Sequence, residues 1–65
     1  MAKREWLIKA RRDKGLRQYQ ISDLLGISRV FYTQIEQGSR GLSFENAKHI
    51  SKILKIPWMK FLKLE

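Results

Sequence analysis

Glycines divide this chain into segments that suit short helices and little else. Gly15, Gly26 and Gly38 stand eleven and twelve residues apart, and the stretches between them carry apolar residues at helical spacing. No β-branched alternation of useful length occurs, nor any internal repeat or low-complexity tract. The single proline, Pro57, falls near the end. Punctuation of this kind marks helix ends rather than linkers.

Taken segment by segment, the pattern predicts a first helix from Lys3 to Lys14. Leu7 and Ala10, with Trp6 beside them, form an apolar edge on an otherwise basic rod, and Gly15 supplies the stop. A second helix is expected from Gln18 to Leu25, with Ile21, Leu24 and Leu25 inward and Gly26 ending it. Ser28 is placed to cap a third helix, because its hydroxyl can accept one of the backbone N–H groups left open by the first turn. That helix runs to Gln37, buries Tyr32 and Ile35, and stops at Gly38. After a loop, Ser39–Leu42, Ser43 caps a fourth helix with Phe44, Ala47, Ile50 and Leu54 on one face. Glu45 sits in its first turn, where the helix dipole favours an acid. Pro57 suits the start of a short fifth helix, whose apolar positions are Trp58, Phe61 and Leu62. The expected fold class is therefore all-α: a compact five-helix domain filling residues 1–65.

Size and composition exclude much. A domain of 65 residues buries only about 60% of its unfolded surface, which leaves little room for a deep catalytic pocket. There is no cysteine, so neither a disulfide nor a thiolate metal site is available, and His49 is the sole histidine. No paired catalytic groups and no phosphate-cradling glycine loop occur. The chain is expected to be no enzyme, to use no cofactor and to bind no metal. Fourteen lysines and arginines against six acids give a formal charge of +8, which favours a polyanion as partner. Nucleic acid and an anionic membrane surface both qualify on charge alone. A membrane-surface peptide needs a long basic amphipathic helix, and here glycines end every helix early. No apolar stretch is long enough to span a bilayer, and Lys9, Arg11 and Arg12 interrupt any signal core after the basic start. A cytoplasmic location is expected.

The segment Gln18–Gln37, QYQISDLLGISRVFYTQIEQ, carries the most information. It reads helix, glycine turn, helix. Ile21, Leu25, Ile27, Tyr32 and Ile35 are placed to pack the two helices together, and the small Ser22 lets them cross closely. Gly26 stands where the turn needs a positive φ. One side of the second of these helices is left free and polar. With Leu7, Arg11, Gly15-Leu16, Gln18, Ile21, Leu25-Gly26-Ile27-Ser28, Ile35-Glu36, Gly38, Ser43, Ile50, Leu54 and Ile56 in this order, the chain resembles the Cro/repressor-type, or XRE-like, helix-turn-helix family from about Leu7 to Leu62. It departs from the family at Ser22, Arg17, Leu42, Lys55 and Pro57, where Ala, Thr, Pro, Gly and Ser or Thr respectively are common. These departures touch capping and loop geometry.

The resemblance implies a sequence-specific DNA-binding regulator, a repressor of the phage or mobile-element kind, with its third helix in the major groove. Carried over by position, the base-reading residues are Arg29, Val30, Thr33 and Gln34, which share one helix face. Arg29 suits guanine, Gln34 suits adenine, and Val30 and the Thr33 methyl suit a thymine methyl. The resemblance assigns a phosphate contact to Gln18; Arg17 and Arg40, which flank the third helix, are expected to reach phosphates too, with Ser39 adding a contact beside Arg40, and such contacts position without reading sequence. Gln18 is also expected to brace the start of the third helix. Tyr19 is left open between the DNA backbone and a covering role, and Phe31 is expected to pack toward Leu42 and Phe44. Arg11 and Glu36 are expected to form a structural ion pair locking the third helix to the first. Lys3, Arg4, Lys9, Arg12 and Lys14 are read as a solvated face. Family members bind two half-sites as dimers, so a homodimer is expected, with Trp58 and Phe61 as candidates for the seam. Two alternatives stay open: the antitoxin of a toxin–antitoxin operon, and a protein–protein module that kept the fold.

Overall fold

The computed structural model describes residues 3–57. Within them the chain forms four helices and no strand: α1 (Glu5–Asp13), α2 (Gln18–Leu25), α3 (Arg29–Gln37) and α4 (Phe44–Leu54). Each helix end has a local chemical cause. At the end of α1, the Gly15 N–H donates to the Arg12 carbonyl and the Leu16 N–H reaches back to that of Arg11, which satisfies carbonyls the helix leaves open. Arg17 precedes α2 in extended conformation, and its N–H donates to Gln20 Oε1 at 2.8 Å. Gln20 thus supplies one half of a capping box where the usual hydroxyl is missing. Gly26 ends α2 at φ +72°, in the left-handed region open to glycine at little cost. Ser28 Oγ accepts the Phe31 N–H at 3.0 Å to open α3. Ser43 Oγ accepts the Asn46 N–H at 3.1 Å to open α4.

The core takes residues from every helix. Leu7, Ile21, Tyr32, Ile35, Ala47, Ile50 and Leu54 are buried, and Leu16, Leu25, Ile27 and Leu42 are among the half-buried residues packed around them. α2 packs on α3 and α4, and α1 packs on α3. Ser22 is buried within α2, and its hydroxyl donates to the Tyr19 carbonyl at 3.0 Å. A small side chain that satisfies its own polar atom can sit in a helix contact without leaving an open donor.

Several expectations need correction. α1 begins at Glu5 rather than Lys3, because Arg4 is turned inward and occupies the cap position. Leu24 is 64% exposed rather than inward. The buried side of α2 is centred on Ile21, Ser22 and Leu25, and Leu24 lies about 200° around the helix from Ser22. Phe44 is 62% exposed; it opens α4 one turn before Ala47, the first buried position of that helix, and Lys48 Nζ lies 5.6 Å from its ring centre. The fifth helix, with Trp58, Phe61 and Leu62, falls outside the described residues.

Lys55, at the C-terminal cap of α4, is the one non-glycine among the described residues with positive φ, at +56°. Its Cβ strains a backbone that glycine would adopt freely. Lys55→Gly should raise stability by about 1 kcal/mol, read as a higher urea midpoint. Gly26→Ala should lower it by a similar amount, because no atom lies within 4 Å of the added Cβ and the cost is conformational alone.

Candidate nucleic-acid interface

A buried polar cluster sets the position of α3. Arg11 Nε of α1 lies 2.5 Å from Glu36 Oε2 at the C-terminal end of α3. Arg11 Nη2 donates to Glu36 Oε1 at 3.3 Å and Nη1 to the Leu16 carbonyl at 2.9 Å. Gln18 Nε2, in the first turn of α2, donates to the same Glu36 Oε1 at 2.9 Å. Its Oε1 lies 3.5 Å from the Thr33 hydroxyl, whose proton goes to the closer Arg29 carbonyl at 2.8 Å. One carboxylate therefore ties three helices together.

The charges answer to one another. Burial alone would push the Glu36 carboxyl up, but the hydrogen bonds from Arg11 and Gln18 outweigh it and hold the group below its ordinary value. Burial alone would lower Arg11, and Glu36 more than offsets that. The Tyr32 phenol is wholly buried. Burial first, then the neighbouring carboxylate, push its ionisation up. Its hydroxyl meets no partner with hydrogen-bond geometry among the described residues.

Arg4 makes a second fastening that the sequence reading missed. It was expected on a solvated face, yet it is 9% exposed. Its backbone N–H donates to the Glu36 carbonyl at 2.8 Å. Its Nη1 donates to the Ile35 carbonyl at 2.5 Å and the Arg40 carbonyl at 3.0 Å. A cation at a helix C-terminus satisfies open carbonyls and complements the dipole. Here it also fixes the loop that follows α3. The partners are more than thirty residues distant in sequence, and no local pattern announces them.

The outer side of α3 is polar and accessible. Arg29 is exposed, Val30 is 67% exposed, and Thr33 and Gln34 are partly exposed. At the N-terminal end of α2, Arg11, Arg12, Arg17, Gln18, Tyr19 and Arg29 line a cleft of about 610 Å³, with no carboxylate in the lining. Arg12, read as part of a solvated face, is in this wall. Beyond the C-terminal end of α3, Ser39 Oγ donates to the Gln34 carbonyl at 3.3 Å. The Arg40 guanidinium lies 4.4 Å from the Phe31 ring centre, and its Nε donates to Gln34 Oε1 at 3.0 Å. Phe31 thus packs on the core with Arg40 above its ring, a contact not foreseen in the sequence. Six of the eight assigned residues fall into two groups, Arg17, Gln18 and Arg29 around the cleft and Gln34, Ser39 and Arg40 at the far end of α3, with Val30 and Thr33 on α3 between them. Trp58 and Phe61 lie outside the described residues.

Comparison with known proteins gives a consistent picture. A family profile described as Helix-turn-helix (HTH_3) matches residues 7–61. Two proteins of Bacillus subtilis (strain 168) are similar to the chain. One, named Uncharacterized HTH-type transcriptional regulator YqaF, is 38% identical over 58 residues, which span 89% of this chain and 76% of that protein. The other, named Uncharacterized HTH-type transcriptional regulator YqaE, is 41% identical over 61 residues, spanning 94% of this chain and 53% of that protein.

The buried pair makes a signed prediction for pH. In the wild type the Glu36 carboxyl is held low, so its contribution is present above the ordinary carboxylate value, about 4.3, and is lost as pH falls through the depressed one. Arg11→Met leaves the carboxylate buried with its main partner gone and should cost about 3–5 kcal/mol near neutral pH. Burial then raises the carboxyl, so acidification from neutral pH should recover stability in the variant while it weakens the wild type. Urea midpoints measured from pH 7 to about pH 2 check both slopes, the variant's in the upper part of the range and the wild type's below the ordinary carboxylate value.

Proposed function

The chain belongs to the XRE-type helix-turn-helix family, and we propose that it is a sequence-specific regulator of transcription that binds double-stranded DNA. On this reading it acts as a repressor, and as a homodimer on an inverted-repeat operator, with α3 of each copy in the major groove. The observation that carries the proposal is the placement of cations around α3. A carboxylate-free arginine cleft lies at one end, Arg40 lies at the other, and a polar face with an exposed Val30 lies between.

Each part then has a physical role. The N-terminus of α2, with Arg17, meets a phosphate, because its first N–H groups and the helix dipole both favour an anion. Gln18 spends one amide hydrogen on Glu36 and keeps the other for the same phosphate. Arg12 extends the cationic wall. Ser39 and Arg40 hold the backbone at the far end of α3. Between these anchors Arg29 pairs with a guanine edge. Val30 and the methyl of Thr33, whose hydroxyl is turned to the Arg29 carbonyl, pack on a thymine methyl. The ion pair and Arg4 keep α3 at the same depth for each encounter. The whole chain serves as one DNA-binding domain in this proposal, and Trp58 and Phe61 supply the seam between copies. No helix among the described residues is long and apolar enough to cross a membrane.

Selection from a random duplex pool tests the reading directly. The expected winner is an inverted repeat with half-site centres about 34 Å apart, bound far more tightly than a scrambled control at the same salt. Weak, salt-sensitive binding to every duplex alike would instead favour a protein–protein module. Arg29→Ala should lose discrimination at one base step by about 1–3 kcal/mol, with less effect on random DNA. Equal weakening on both would remove Arg29 from the base-reading set.

A further inference from the structure

Arg40 does more than supply a charge at the edge of the interface. Three contacts restrain it. Its carbonyl accepts from Arg4 Nη1 at 3.0 Å, its guanidinium lies over Phe31 at 4.4 Å, and its Nε donates to Gln34 Oε1 at 3.0 Å. The backbone closes the same unit, since the Arg40 N–H donates to the Gln34 carbonyl at 3.3 Å. A guanidinium over an aromatic face is held by cation–π attraction, and the Phe31 ring is itself packed on the core. The head of Arg40 is therefore seated on a fixed platform.

That seating decides how Gln34 presents itself. Arginine has donors and no acceptor, so the atom facing Arg40 Nε must be the amide oxygen of Gln34. Turning the amide over would set an NH₂ group against a guanidinium N–H and lose the bond. With one lone pair of the oxygen engaged and a cation held beside it, a second donor such as adenine N6 is met less favourably there, whereas both N–H donors of the amide are uncommitted. A glutamine reads adenine with both ends of the amide, oxygen to N6 and nitrogen to N7, whereas guanine offers two acceptors, O6 and N7.

We infer that Arg40 is a specificity-determining positioning residue: through its bond to Gln34 and its seat on Phe31, it presents the glutamine as a donor and biases the base opposite Gln34 toward guanine over adenine. This rests on the proposed DNA-reading role of α3 and refines the adenine preference expected from sequence. A residue that only contacted phosphate would weaken all sequences alike.

The test uses the full chain. The operator is first selected from a random duplex pool, and the base step lost in Gln34→Ala is located. Affinities for duplexes with guanine or adenine at that step are then compared at fixed salt. Wild type should favour guanine, and Arg40→Ala should shrink the guanine-to-adenine ratio by about tenfold while preferences at other steps stay unchanged. Phe31→Leu, which keeps the Arg40 charge and removes its platform, should shift the ratio the same way by less. Adding Arg40→Ala to Gln34→Ala should change the ratio no further, since coupled residues are not additive. Far-UV circular dichroism confirms that each variant folds. An Arg40→Ala protein that is uniformly weaker with the ratio intact overturns the inference and leaves DNA reading in place, as does a wild type that prefers adenine. A wild type that enriches no sequence overturns the DNA-reading proposal and this inference with it.

Discussion

A single carboxylate holds α3 in place. Glu36 is 1% exposed, and removing such a charge from water costs several kcal/mol unless its lone pairs are answered. Arg11 answers with two donors and Gln18 with one. Arg11 is answered in turn by the Leu16 carbonyl. The value of this arrangement lies less in net stability than in uniqueness. An apolar contact tolerates small slides, whereas a buried charge with directional partners has one good position. Because the three donors come from α1 and α2, that position fixes α3 against both.

Most helix ends were legible because capping is local chemistry. Ser28, Ser43, Gly15, Gly26 and Gly38 each act within a few residues of themselves, and the boundaries of α2 match the expected ones. The direction of individual side chains was less so. Periodicity names an apolar side, but it does not say which edge of that side meets a neighbour, and so Leu24 and Phe44 were turned the wrong way. Arg4 was illegible for a different reason. A lone arginine at the start of a basic helix has no signature of burial until distant carbonyls are brought to it. In the candidate interface, the resemblance places residues on α3, but the tie between Gln34 and Arg40 depends on a turn whose path sequence does not specify.

Four of the six acids are disposed so that they scarcely weaken the positive field. Glu36 is spent in the core. Asp13 lies 3.0 Å from Lys9 on an exposed surface, an arrangement worth little to stability. Glu5 and Glu45 occupy first turns of α1 and α4, where they answer helix dipoles. With the arginine cleft free of carboxylates, the surplus charge is directional, and a directional surplus steers a polyanion as well as attracting it.

The Arg4 fastening has a bearing on how such a domain can diversify. Its bonds to Ile35, Glu36 and Arg40 go to main-chain oxygens, so these three bonds take no account of which side chains those residues carry. The outward positions of α3 can be rewritten while the pose of the helix is kept. If α3 reads DNA as proposed, a new target is then reachable by exchanging a few exposed residues, without repacking the core beneath them. On the proposed reading, holding the frame by backbone and the target by side chain separates two properties, stability and target choice, that elsewhere in proteins compete for the same residues.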